Sequence, residues 1–506
     1  MSNSCDYVTK DNNLLDGAQY LASLRDSREI YIYGERVSDV TTHPAFRNSC
    51  RSIARLYAAL HDPKYKDVLT TVDALGHRTH KFFKPSTSAQ ELFEAREALI
   101  TWARLSYGFM GRTPDYKAAF MASMAANPEF YAPFDESARK WYVKYSSQCL
   151  FLNHVLINPP VDRNRPVHEV DDVFVHVVKE KDNGVIVSGA KMLATGSAMT
   201  HATFVAQNSA VVLDKEKGKD FALVFITPMD TPGTKLICRP SYERSAQSPF
   251  DHPLSSRFDE NDAVLIFDHA FIPWENVLVY RDPERANAFY QQSRFVNRYN
   301  LHSGSRLGVK LDLMAGLFSK AIETNGTDAF RGVQAALGEI LAWRHLIWAL
   351  TTAMCLDPEE APGNTVVPKA EYAYTLRMFA TECWPAVRHI FEKFLGGSLL
   401  VAPSSHKDLS SPEIRPLLDK YYRGSSTSAK ERIKLFKLIW DAIGSEFGAR
   451  HELYETNYSG NHEQIRLDLA NVSRRKNILA GCQNLVEQCM SDYDLEGWRD
   501  SAWVWE

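Results

Sequence analysis

The sequence predicts an α+β protein made of a helical region, a β-rich region and a second, longer helical region. Two patterns carry this. Apolar residues recur at helical spacing before residue 155 and again after 285, and between them short β-prone runs alternate with turn residues. A length of 506 residues, at roughly 150 per domain, allows about three such units. The expected boundaries are 1–155, 156–284 and 285–506.

In the first unit, Ser88-Ala-Gln-Glu91 reads as a capping box, with Leu92, Ala95, Leu99, Trp102 and Ala103 following at helical spacing. Arg28–Val37 alternates β-formers around Gly34 and predicts a short hairpin. Thr113-Pro114-Asp115 reads as an N-cap, a proline at the first helical position and a first-turn acid. In the second unit, Asp182-Asn183-Gly184 between Val173–Val178 and Val185–Val187 predicts a hairpin. Further strands are expected at Phe221–Ile226, Lys235–Cys238 and Ala263–Phe267, making a compact β-barrel or sandwich. In the third, Ser305–Glu323, Arg331–Cys355, Lys369–Phe394, Ala429–Gly444 and Gln464–Ser491 predict long helices in an antiparallel bundle.

Composition excludes several function classes. Lys+Arg is 58 against Asp+Glu 62, a net charge of −4 without a long basic run, which argues against a nucleic-acid binder. No apolar stretch approaches the roughly 18 residues that span a bilayer. Met1-Ser-Asn-Ser-Cys-Asp6 is polar and lacks an apolar signal core, so a cytoplasmic location is expected. The eight cysteines are scattered, with no CxxC, and there is no HExxH, so neither a disulfide framework nor a metal site is expected. GxGxxG after a strand and GxxxxGK[ST] are both missing, so a cofactor would have to lie between domains.

Five places could carry chemistry. Around Gly108–Tyr116, Arg112 and the start of a helix converge on one spot, suited to a phenolate or peroxy anion, although a surface arginine beside a capped helix explains the same pattern. His154, read as lying at the end of an apolar helix Leu150–Asn158, is by itself most simply a packed core histidine. Asp162 and Arg163 are read as a pair on the domain junction. Thr195–His201 offers loop hydroxyls, and Gly444–His451 is a Gly/Ser break in helical sequence that could present backbone N–H groups to a phosphate.

Several of these segments carry a family resemblance. Arg28-Glu-Ile-Tyr-Ile-Tyr-Gly-Glu-Arg36, Thr42-His-Pro-Ala-Phe-Arg47, Gly111-Arg-Thr-Pro-Asp-Tyr116, Asn158-Pro-Pro160, Val187-Ser-Gly-Ala-Lys191, Pro253–Asp262, Ile272-Pro-Trp-Glu-Asn276, Phe330-Arg-Gly-Val-Gln334 and His451-Glu-Leu-Tyr454 occur in that order. Together they make the chain resemble the oxygenase component of two-component 4-hydroxyphenylacetate 3-monooxygenases over nearly its whole length. The resemblance implies an acyl-CoA-dehydrogenase-like fold with an N-terminal helical domain, a middle β-barrel and a C-terminal helical bundle. It also implies a homotetramer that takes reduced FAD from a separate NAD(P)H:flavin reductase and uses it with O₂ to hydroxylate a para-substituted phenol to a catechol.

By position, Arg112, Tyr116 and His154 match the family residues around the substrate phenol, with His154 the candidate to accept or share its proton. Val161, Asp162, Arg163 and Thr195 match flavin contacts, as does the turn Ser445, Glu446, Phe447 and Gly448. Gln207 and Asn208 match the far end of the substrate. Glu243–His252 is shorter than the corresponding family connection and reads as a gate over the pocket, which leaves the natural phenol open. Two alternatives stand beside this reading: an acyl-CoA-dehydrogenase-type enzyme on the same fold, and a non-catalytic helical scaffold. A related dehydratase would need cysteine ligands for an iron–sulfur cluster, and Trp102–Gly111 has none.

Overall fold

The computed structural model describes residues 14–208, 211–500 and 503. The expected hairpin near the start forms from Glu29–Ile32 and Glu35–Arg36. Tyr33 and Gly34, at φ 55° and 80°, make the two-residue turn that needs left-handed backbone. This hairpin does not stay with the N-terminal helices. Glu29–Ile32 pairs in parallel with Thr234–Cys238 and so joins the middle β-region.

That region is two sheets. The six-stranded sheet runs Glu35–Arg36, Glu29–Ile32, Thr234–Cys238, Ala263–Pro273, Gly184–Lys191, His176–Lys181. The four-stranded sheet runs Val277–Tyr280, Leu223–Pro228, Ala202–Val205, Leu152–Val155. The Asp182–Gly184 hairpin forms as expected. The expected barrel does not: no closed barrel occurs among the described residues. Glu35–Arg36 and the outer half of His176–Lys181 are solvent-exposed edges, which closure would have removed.

His154 is likewise not at a helix end. The helix Asp135–Gln148 stops at Cys149, which turns left-handed at φ 51°, and Leu152–Val155 then pairs in parallel with Ala202–Val205. Leu152, Asn153 and Val155 are all buried, so no two-residue alternation marks the strand in the sequence.

The bundle holds Phe295–Asn325, Arg331–Leu356 and Ala370–Leu395. Nearly every side chain from Phe295 to Leu311 is buried, which makes the first of these the central rod of the molecule. It carries Arg298, His302, Arg306 and Lys310 at four-residue spacing, a slowly turning stripe of buried cationic and imidazole groups. The expected Gln464–Ser491 helix is two, His462–Arg475 and Ile478–Ser491, split where Asn477 adopts φ 58°. At Ser88 only one arm of the capping box forms: Ser88 caps Glu91 N–H, while the Glu91 carboxylate accepts from Thr87. The seven described cysteines are free thiols, and the described histidines, cysteines and carboxylates form no metal-binding group.

Candidate active site

The site begins at the break between Ala89–Leu105 and the short 3₁₀ turn Pro114–Lys117. Thr113 holds the N-cap position and Pro114 the first helical one, as expected. Gly111 is required here because a Cβ would overlap the Tyr454 hydroxyl. The Gly111 and Arg112 amides both donate to the Glu260 carboxylate, which aims the Arg112 side chain inward. Arg112 is half-buried, so the surface-arginine reading fails. Its Nη1 donates to Tyr454 Oη at 2.9 Å, and its guanidinium lies 4.2 Å from the Tyr116 ring centroid.

Tyr116 stacks on His154 with ring centroids 5.7 Å apart, so the structure brings Arg112, Tyr116 and His154 into one cluster. The Tyr116 hydroxyl is pushed up to about 12 by burial, partly offset by the Arg112 charge. Burial acts on His154 in the opposite sense: together with the Arg112 charge it pushes the imidazole well below 6.5, so its ring is neutral at neutral pH. Its Nδ1 is buried and has no hydrogen-bond partner among the described residues. Lys117, which sequence reasoning passed over, stands beside it: 1 % exposed, with its Nζ also unpartnered.

Behind this cluster the run Asp259-Glu260-Asn261-Asp262 ties the regions together. Asp262 accepts 2.6 Å from Thr195 Oγ1 and 2.9 Å from Arg450 Nη2, and Arg239 Nε reaches it at 3.0 Å. Burial would raise its carboxyl; the Arg450 and Arg239 charges overcome that and hold it far below the usual range. Thr195 is thus linked to Arg112 through Asp262, Arg450 and Glu260. Deeper in the bundle Glu455 receives both Arg306 Nη groups, at 2.5 and 2.6 Å, and Lys310 Nζ at 2.9 Å. The quoted runs Pro253–Asp262 and His451–Tyr454 contain or adjoin most of these residues, but spacing alone assigns them no partner.

The remaining expected residues fall in three places. Val161 and Arg163 are exposed, and Asp162 accepts from the Asn164 amide, not from Arg163. Gln207 is buried, its amide engaged by Phe221 O and Lys191 Nζ, and Asn208 is half-buried beside it. Ser445 caps the helix Glu446–Asn457 by accepting from the Gly448 amide. Glu446 is exposed, and Phe447 packs inward on Phe109 and His451. Glu243–His252 is pinned at both ends. The Glu243 carboxylate accepts from Asn48 and Ser49, and Asp251 from Ser248 and His406.

Comparison with known proteins decides the family. The pattern "4-hydroxyphenylacetate 3-hydroxylase N terminal" matches residues 16–279 and its C-terminal counterpart residues 286–487. The chain belongs to the 4-hydroxyphenylacetate 3-hydroxylase family. It is 56% identical over 492 residues to the pyoverdin chromophore biosynthetic protein PvcC of Pseudomonas aeruginosa, covering 97% of this chain and 98% of that one. It is 51% identical over 488 residues to the 4-hydroxyphenylacetate 3-monooxygenase oxygenase component of the same organism, covering 95% and 94%. A solved oxygenase component, HpaB, complexed with FAD and 4-hydroxyphenylacetate, superposes with a TM-score of 0.89 at 32% identity, over 94% of this chain and 99% of that one.

An archaeal 4-hydroxybutyryl-CoA dehydratase shares the architecture at a TM-score of 0.81 and 20% identity over 97% of each chain, a likeness of fold alone. Membership in the hydroxylase family makes this chain a two-component monooxygenase oxygenase component, as the resemblance implied. The acyl-CoA-dehydrogenase and scaffold alternatives are not favoured. The helical and β-sheet architecture is shared with that dehydratase, with two open sheets in place of the expected barrel.

Proposed function

We propose that Arg112, Tyr116 and His154 grip the hydroxyl of a para-substituted phenol and direct ortho-hydroxylation to a catechol, with reduced FAD and O₂ as co-reactants. The observation that carries this is the orphaned Nδ1 of a neutral His154, stacked on Tyr116 beside the Arg112 guanidinium. A buried polar atom without a partner costs free energy unless a ligand completes it.

The chain's own groups also fit a flavin. Val161 and Leu193, 58% and 54% exposed, offer apolar surface for a ring system. The Ile157–Met192 bridge holds their two loops side by side. Arg163 is exposed, makes no ion pair among the described residues, and suits a diphosphate. Thr195 and the Ser445–Gly448 helix start would complete the contacts. Reduced FAD with O₂ supplies an electrophilic oxygen atom when bound.

The protein's part is to hold the phenol. Arg112 and Tyr116 orient its oxygen and stabilise negative charge there, and the His154 ring hydrogen-bonds the same oxygen. Grip at the hydroxyl, not at the para group, fixes the ortho position. Relatives of similar identity carry different names, so the reading here is a para-substituted phenol of the 4-hydroxyphenylacetate kind, with Gln207 and Asn208 toward its para end.

We further read the chain as a homotetramer. The helix Ile478–Ser491 buries none of its own residues, leaving Leu485, Val486 and Met490 more than half exposed, an apolar face that another subunit would cover. No helix of the described residues is long and apolar enough to cross a membrane. A cytoplasmic location agrees with the free thiols and with supply of flavin by an NAD(P)H-dependent reductase. The chain reads as three units divided near 155/156 and 284/285, with the hairpin Glu29–Arg36 and the strand Leu152–Val155 lent to the sheets of the middle one.

The test mixes the protein with FAD, a flavin reductase, NADH, O₂ and a panel of para-substituted phenols. Catechols hydroxylated next to the original hydroxyl are expected. NADH oxidation that yields only H₂O₂ with every phenol would overturn the reading.

A further inference from the structure

Lys117 is among the largest fully buried side chains of the molecule. Its Nζ lies 4.0 Å from the Tyr116 ring centroid and 4.3 Å from that of Phe120, and no hydrogen bond satisfies it among the described residues. Both of those rings also pack on His154, at 5.7 and 5.5 Å. Two orphaned nitrogens, Lys117 Nζ and His154 Nδ1, therefore share one aromatic box. A fold does not gain from burying an amine in this way, since a methionine would fill the same space without the desolvation cost.

The groups around Nζ leave it without a counter-charge. On its own segment stand Arg112, Asp115 and Tyr116. The Asp115 carboxylate is engaged by Thr113 Oγ1 and by His302 Nε2 at 3.1 Å, so it is spent elsewhere. The strand Leu152–Val155 presents His154, and the central helix presents Tyr299 and His302 through their contacts with Tyr116. Arg112 cannot accept a proton, and Tyr116 retains its own.

We propose that Lys117 is a further catalytic residue of the phenol pocket, whose buried Nζ takes the phenol proton and then faces the phenolate as its counter-charge. The phenol O–H bond breaks, its electron pair stays on oxygen, and the proton makes the third N–H bond of an ammonium. His154, in its Nδ1–H form, then donates to the phenolate oxygen. The proton returns to the product's oxygen as the catechol leaves. Burial, reinforced by the Arg112 charge, pushes the Lys117 amine well below its usual 10.5, which favours the neutral acceptor before substrate binds.

This rests on the phenol reading above, and the test separates the two. The probe is 4-nitrophenol, whose ionised form absorbs visible light and whose neutral form does not. It is titrated anaerobically into protein holding reduced FAD, so that no turnover occurs. The wild-type protein is expected to raise the phenolate-to-phenol ratio about tenfold over the free dye at the same pH, one unit of apparent pKa. Lys117→Met is expected to return it to within about twofold of the free dye, while thermal stability stays level or rises. Failure of wild type to bind the dye would defeat the phenol reading itself. Binding with no change in ionisation, or a Lys117→Met protein that ionises the dye like wild type, would overturn the role of Lys117 alone. A Lys117→Met chain that fails to fold would show that the amine serves the fold, and would overturn it equally.

Discussion

Two buried ionic regions lie along the central helix Phe295–Asn325, and they are built on opposite terms. Around Glu455 every charge is met: Arg306 forks onto both carboxylate oxygens and Lys310 closes the third bond. Around His154 the polar groups are left open: Lys117 Nζ and His154 Nδ1 have no partner among the described residues, and the Arg112 side chain reaches only the Tyr454 hydroxyl and ring faces. A closed cluster fixes helix against helix, because any rearrangement strands a charge in a dry core. An open one gains its missing partners only when a ligand arrives. His302 stands between them, held by Asp115. The first region serves architecture and the second chemistry, and substitutions should separate them.

The largest effect is expected at the open region. Replacing His154 with Ala removes a preorganised hydrogen bond to charge developing on the phenol oxygen, worth about a hundred- to a thousandfold in the hydroxylation rate. Because the residue is not part of the closed cluster, the unfolding midpoint should stay close to wild type. The measurement is catechol formed per NADH consumed in the reductase-coupled assay. Unchanged coupling would return His154 to the role of a packed core histidine.

The closed region should show the reverse. Glu455→Ala strands Arg306 and Lys310 in the core, a destabilisation of about 3–5 kcal/mol by denaturant unfolding. Its pH dependence follows from the same contacts. Burial alone would raise the Glu455 carboxyl, but the Arg306 and Lys310 charges outweigh it and hold it at about 2, below the ordinary 4.5. A lowered carboxyl stabilises the fold above its unfolded value, so this contribution is full above about pH 4.5 and is lost as pH falls toward about 2. Glu455→Gln should flatten that acid limb. If the limb is as steep in the variant, the cluster is not what acid breaks.

How much of this was legible in the sequence differs between the regions for a physical reason. Local signals held: the Tyr33–Gly34 turn and the Thr113-Pro114 helix start depend only on neighbouring residues. His154 was misplaced on a helix because its strand is buried on both faces and lacks alternation. Strand periodicity left barrel and sandwich open, because it does not say whether a sheet closes; the barrel alone came with the resemblance. Arg112, Tyr116 and His154 entered together only through family resemblance, since the contacts between them span about forty residues of chain. The stripe Arg298, His302, Arg306, Lys310 was visible as spacing, yet an amphipathic solvent face would show the same spacing. Its partners, Asp115 and Glu455, are named by no local pattern.

Between the two regions lies the Asp262 junction, and a smaller effect is expected there. Thr195→Val removes one donor from a carboxylate that Arg450 and Arg239 still serve, so about 1 kcal/mol of stability should be lost. Arg112 is held by Glu260, not by Thr195, so the ratio of catechol to H₂O₂ at saturating reduced FAD should stay near wild type. A strong loss of coupling would mean that the junction transmits more than its hydrogen bonds indicate.

The smallest effect is expected where the sequence pointed to a gate. Glu243–His252 carries both signs of charge with Ser, Gln and Pro, a composition that suits a mobile lid. In the structure its charged ends are anchors. Glu243 binds the start of the helix Arg47–Ala59, and Asp251 takes Lys437 at 3.2 Å as well as His406 at 2.9 Å. Leu254 and Ser255, just beyond, donate to Asp441. These contacts fasten the segment to the N-terminal helices and to the bundle, with no hydrogen bond to Arg112, Tyr116 or His154. Replacing residues 246, 247, 249 and 250 while keeping Glu243, Ser248 and Asp251 should therefore leave the ranking of para-substituted phenols within about twofold, under 1 kcal/mol. Glu243→Ala and Asp251→Ala should cost stability instead, because each leaves backbone donors unmet. Catechol yields across phenols that differ only in the para side chain decide the matter. A reordered ranking with the anchors intact would restore the gate and place the para end of the substrate against this loop.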